Sequence, residues 1–157
     1  MKKLVFDADG LIKLAKAGMT EAIAKNYTCI ISEQVYEEVV IEGKKRLHQD
    51  AFEIERLIEA KKIKVISIQL KESNDLGKGE LSTYKIAENN IIVSDDRKFL
   101  SFLQNENKPF IVPAHFIAAL AQKRMISKKE GIGALNRIKK LITTESYTEA
   151  LHMLEEK

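Results

Sequence analysis

Three apolar residues, Leu4-Val5-Phe6, stop abruptly at Asp7, and Gly10 follows three residues later. An unbroken apolar run of this kind reads as a strand buried on both faces, which means a parallel sheet with helices on either side. In an open α/β sheet the crevice outside the carboxyl ends of the strands is where ligands and chemistry sit, and the residue that ends the strand is delivered there. Asp7 is therefore the first candidate site residue.

The rest of the chain fits that frame. Leu11, Ile12, Leu14 and Ala15 fall at helical spacing before Gly18, and Thr20 is placed to cap a short second helix through Lys25. A second strand is expected over 28–31. Ser32 then caps a helix with Val35, Tyr36, Val39 and Val40 on one face, ending at Gly43. Leu47, Ala51, Ile54, Leu57 and Ile58 predict a helix over 46–60, and residues 63–68 predict a third strand. The polar stretch 72–79 is the best place for a mobile loop. A helix from Gly79 should stop at Asn89-Asn90, and Ile91-Ile92-Val93 forms a fourth strand. Ser94-Asp95-Asp96 stands at its end as Asp7 stands at the end of the first. Further elements are expected over 96–105, 110–112, 113–123 and 127–142, with Thr144 or Ser146 capping a last helix. One domain over 1–157 is the simplest division, since a chain of this length buries about two thirds of its unfolded surface.

Cys29 is the only cysteine and lies in an apolar strand, so it reads as a buried hydrophobe in a reducing, cytoplasmic protein. No run reaches the roughly 18 apolar residues that a membrane span needs. The 26 basic and 23 acidic residues give a net charge of +3, too mild to announce a nucleic-acid partner. Basic clusters at 44–46, 61–64, 97–98, 123–124, 128–129 and 137–140 are either solvated helix faces or, if they converge, a phosphate track.

Asp7, Glu38, Glu80 and the Asp95-Asp96 pair each lie at the start or end of a regular element. Two carboxylates ~4 Å apart repel by about 4 kcal/mol at an effective dielectric of 20, so a converging cluster must hold protons or a cation. Oxygen-only ligands suit Mg²⁺ or Mn²⁺ better than zinc, and His48, His115 and His152 have no ligand spacing. Such a site does phosphodiester hydrolysis with a metal-activated water. Lys78, Arg97 and Lys98 flank it and could grip neighbouring phosphates. Glu33 and Glu37 read as solvated acids.

The ordered set Asp7, Val35-x-x-Glu38, Gly79-Glu80 and Ser94-x-Asp96 resembles the PIN-domain family of ribonucleases, over nearly the whole chain, and within it the VapC-like ribonucleases. The resemblance implies a three-layer α/β/α sandwich with a mostly parallel sheet. It implies an acidic Mg²⁺ or Mn²⁺ site at Asp7, Glu38, Glu80 and Asp96, with Asp95 as a substitute or outer ligand and Ser94 positioning a water or a carboxylate. RNA would be the substrate. Small prokaryotic members are commonly toxins, so a cognate antitoxin is a further implied partner, and a homodimer is expected. The apolar faces around 47–58 and Ala118-Ala119-Leu120-Ala121 are either contact surfaces or core.

One departure opens a rival. Where the family usually has Ser, Thr or Asn two residues after the first Asp, this chain has Asp9, which also looks like the first motif of haloacid dehalogenase-like phosphatases, with Asp7 as nucleophile and Asp9 as acid/base. Asp9 otherwise reads as an acid favoured by a helix N-terminus. A PIN-like fold kept as a catalytically silent binding module is the reading from a different class.

Overall fold

The computed structural model describes residues 2–70 and 76–156. Five strands form one sheet in the order β3-β2-β1-β4-β5, with every neighbouring pair parallel. They are β1 (Lys3–Phe6), β2 (Thr28–Ser32), β3 (Ile63–Ile66), β4 (Ile91–Val93) and β5 (Phe110–Ile111). The period-two pleat splits β1 between the two faces. Leu4 and Phe6 enter the larger apolar cluster, and Val5 enters the smaller one.

The larger cluster holds α1 (Ala8–Lys16), α2 (Thr20–Asn26), α5 (Gln49–Glu59), α8 (Pro113–Gln122), α9 (Lys128–Ile138) and α10 (Thr144–Glu155). The smaller one packs α6 (Lys78–Ala87) and α7 (Arg97–Asn105) on the opposite face through Leu81, Ala87, Phe99 and Leu103. The result is the three-layer α/β/α sandwich that the resemblance implied, and Cys29 is buried in it, its thiol pushed up to about 12 by that burial. Ala118 and Leu120 are core, as are Ala51, Ile54 and Leu57; at the α5 end only Leu47 and Phe52 remain as large exposed apolar groups. Among the described residues, no helix is long and apolar enough to cross a membrane.

Several expected boundaries move. The expected loop at 72–79 falls outside the described residues over 72–75. The helix capped by Ser32 does not end at Gly43: it runs as α3 (Glu33–Tyr36), widens into a π turn (Glu37–Ile41) and continues as α4 (Glu42–Lys45). Gly43 serves packing instead, because a methyl group there would stand 2.8 Å from the Ala51 Cβ. Thr20 lies inside α2, which begins after Met19, and the cap of α10 is Thr143, whose Oγ1 accepts from the Ser146 N–H at 3.0 Å.

Candidate functional site

Sequential strands run from β1 outward to β3, and the chain then crosses back so that β4 lies on the other flank of β1. The order reverses between β1 and β4, and such switch points open a crevice at the carboxyl ends of the strands. The register pairs Phe6 with Val93, so Asp7 and Ser94 leave the sheet side by side. Asp7 is 3 % exposed and caps α1, its Oδ1 accepting from the Gly10 N–H at 2.7 Å. Gly10 is required there, since a Cβ would stand 2.4 Å from the Val93 carbonyl oxygen.

Ser94 joins the two strand ends. Its buried hydroxyl donates to Asp7 Oδ2 and accepts from the Asp96 N–H at 3.2 Å. Asp96 in turn caps α7, its Oδ1 accepting from the Phe99 N–H at 2.9 Å. Burial pushes the Asp7 carboxyl up to about 7; the Ser94 and Gly10 hydrogen bonds pull the other way, and the negative charges of Asp9 and Glu80 add to the rise.

Glu38 and Glu80 reach the crevice from two facing helices. Ser82 donates to the Gly79 carbonyl at 2.7 Å, which leaves the Ser32 hydroxyl to donate to Ser82 at 2.7 Å while accepting from the Val35 N–H. This buried hydroxyl chain docks α6 on α3. A methyl group on Gly79 would lie 3.4 Å from Glu38 Oε1, so the first turn of α6 faces the π turn that carries Glu38. Glu80 Oε1 accepts from the Gly77 N–H at 2.9 Å, closing the N-terminus of α6. Partial burial raises the Glu38 carboxyl above its ordinary range, and Glu80 and Asp9 raise it further. π turns break the regular ladder and recur at functional sites.

The cleft so formed has a volume of about 780 Å³ and is lined, among the described residues, by eight carboxylates: Asp7, Asp9, Glu37, Glu38, Glu42, Glu80, Asp95 and Asp96. Among the described residues its cations are Lys78 and Arg97, both exposed and without an ion partner there. Lys98 does not line it. Gln34, Glu37 and Glu42 also line the cleft, outside the expected site set; Gln34 and Glu42 lie four residues to either side of Glu38, a spacing that is the available signal in the sequence, whereas Glu37 adjoins Glu38 and carries no such signal.

Asp95 and Asp9 are handled differently. The Lys13 ammonium lies 2.8 Å from Asp95 Oδ2 and 3.1 Å from Asp9 Oδ2. Burial works against the Lys13 charge, yet the two carboxylates outweigh it and hold the ammonium above its ordinary value. At Asp95 burial wins instead, keeping the carboxyl above the usual range despite Lys13. Asp9 sits in the first turn of α1 with its carboxylate tied to Lys13, so it is not a free acid/base for a nucleophilic Asp7.

Asp7, Glu38, Glu80 and Asp96 have no ion-pair partner among the described residues and offer oxygen alone, which fits a hard divalent cation. Among those residues no three ligand-type side chains already stand around one point, so the carboxylates line the cleft rather than enclose a finished cage.

Residues 3–156 match a protein-family model described as a PIN domain. The fold is similar to that of a PilT N-terminus domain protein from the hyperthermophilic archaeon Sulfolobus solfataricus P2, at 15 % identity, with a TM-score of 0.53, covering 74 % of this chain and 92 % of that one. At that identity the likeness speaks to the fold alone. No curated protein matches the chain.

Proposed function

The chain belongs to the PIN-domain family, whose members are generally metal-dependent nucleases, and from that premise we propose that it is an endoribonuclease hydrolysing RNA phosphodiesters at an acidic Mg²⁺ or Mn²⁺ site. The observation that carries this reading is the sorting of the cleft's acids: Asp9 and Asp95 share the Lys13 ammonium, while Asp7, Glu38, Glu80 and Asp96 have no ion-pair partner among the described residues. Those four would hold the metal, which when bound supplies a water of lowered pKa and screens charge at phosphorus. Asp7 and Asp96 are fixed by the Ser94 hydroxyl and by the two helix N-termini they cap. The hydroxyl chain from Ser32 to Gly79 holds Glu80 opposite Glu38. Asp95 acts from outside the ligand set, through its pair with Lys13. Lys78 and Arg97, at the N-termini of α6 and α7, take a phosphate beside the scissile one.

The test is a paired assay of labelled single-stranded RNA and a generic phosphomonoester, each with Mg²⁺, Mn²⁺ or EDTA. Metal-dependent RNA cleavage without monoester turnover supports the reading, and monoester turnover alone sinks it. A toxin role adds one expectation: producing the active chain alone arrests growth of the host cell, and producing Asp7→Asn does not.

A further inference from the structure

The acidic cleft does not end at the π turn. A second groove of about 240 Å³ shares Glu38 and Glu42 with it and runs between α1 and the α4–α5 corner, past Ile12 and Val39, to Arg46 and His48. The two hollows are thus continuous along one wall, and their outer ends differ in charge from the middle.

The corner has several basic residues, but most are spent. Lys16 meets Asp50 at 3.2 Å, Lys44 meets Glu55 at 2.8 Å, and Lys45 meets Glu42 at 3.4 Å. Arg46 and His48 are exposed and have no ion partner among the described residues. Their backbone is fixed by a closed helix end. Leu47 between them adopts the left-handed conformation at φ 58, with its N–H donating to the Lys44 carbonyl at 3.0 Å and the His48 N–H to the Gly43 carbonyl at 2.9 Å. This is the paired bond that closes a helix end, and it fixes the directions in which residues 46 and 48 leave the turn.

A polyanion with one phosphate among eight carboxylates needs cations where its neighbouring phosphates emerge. Lys78 and Arg97 meet that need at the α6–α7 side. On the α4–α5 side, Arg46 is the matching charge. We propose that the second groove carries the substrate strand out of the cleft, with Arg46 gripping a backbone phosphate and His48 flanking it. This rests on the ribonuclease reading and adds to it the direction in which a single-stranded RNA lies.

Steady-state cleavage of a labelled single-stranded RNA by Arg46→Glu, set against Lys129→Glu on α9 as an equal charge change away from the groove, tests it. Arg46→Glu is expected to raise KM about tenfold with a much smaller change in kcat, and to flatten the log–log salt dependence by about one phosphate contact; Lys129→Glu should move neither. Trimming the RNA from one end only should erase the difference between wild type and Arg46→Glu. If wild type cleaves RNA while Arg46→Glu keeps its KM and salt slope, the track is wrong and the nuclease reading stands. If Arg46→Glu changes only the sedimentation mass, the corner is a protein interface and the track is likewise overturned. If wild type neither binds nor cleaves RNA, both readings fall together.

Discussion

Two pairs of aspartates, nearly adjacent in sequence, meet opposite fates at the carboxyl edge of the sheet. Asp7 and Asp96 are linked through one serine hydroxyl and accept from backbone N–H groups, with no ion-pair partner among the described residues. Asp9 and Asp95 share one lysine ammonium. The difference teaches that the number of carboxylates near a cleft says little by itself. Hydrogen-bond donors orient a carboxylate and leave its charge uncompensated, whereas an ion pair spends that charge.

Substituting across the pairs should separate them most. Asp7→Asn or Asp96→Asn is expected to lower metal-dependent RNA cleavage by on the order of 10³-fold, since a metal contributes several kcal/mol and each 1.36 kcal/mol is tenfold. Asp95→Asn should cost only about tenfold, as outer positions do. Equal losses in single-turnover assays would erase the distinction.

Asp7 also ties stability to pH. The fold lifts Asp7 from 3.8 to about 7, so its ionised form is disfavoured in the native state; the penalty is absent below pH 4, grows between pH 4 and 7 and is complete above. Asp7→Asn should therefore stabilise the metal-free protein at pH 8, by up to about 4 kcal/mol, with the gain vanishing toward pH 4. Urea unfolding in EDTA at both pH values measures it. A gain that does not depend on pH would refute the assignment.

Ser94→Ala attacks the link itself. Its expected cost is about 10- to 100-fold in cleavage, with Ser94→Thr recovering most of it, because only a hydroxyl can donate to Asp7 and accept from Asp96.

Of the two effects on stability, Lys13→Met should have the smaller, a loss of about 2 kcal/mol between the surface and buried ion-pair ranges. Because the fold raises the lysine's pKa, its contribution is complete below the ordinary lysine value, fades between that value and the raised one, and is gone above it. Adding Asp95→Asn should restore part of the loss. No recovery in thermal unfolding would mean that the pair is not coupled.

The sheet, Asp7 and Ser94-x-Asp96 were legible because each depends on local pattern: an apolar run, then a polar residue where the run stops. Pro113 at the start of α8 and Ser127 before α9 were legible for the same reason. The π turn was not, since its apolar residues still approximate helical spacing. A glycine marks a helix end at Gly18, at φ 74. Gly43 marks none, and Leu47, Lys61, Asn107 and Arg124 take the same left-handed role without being glycine, so those helix ends carry no glycine signal. The Lys13–Asp95 contact joins residues 82 apart and exists only once α1 has docked beside β4. Its i,i+4 half, Asp9 with Lys13, could have been read from spacing.

The π turn also sets a rule for length. Its Glu42 N–H reaches back to the Glu37 carbonyl, five residues away, so the segment holds one residue more than a regular helix of the same rise. Deleting one residue of 37–41 would restore the ordinary ladder over nearly the same rise, so the helix beyond would keep its place. Gly43 would stay against Ala51, and Arg46 and His48 would stay at their corner, while Glu38 would change its facing toward Gly79 and Glu80. In this segment the number of residues, as well as their identity, sets how one acid faces the others.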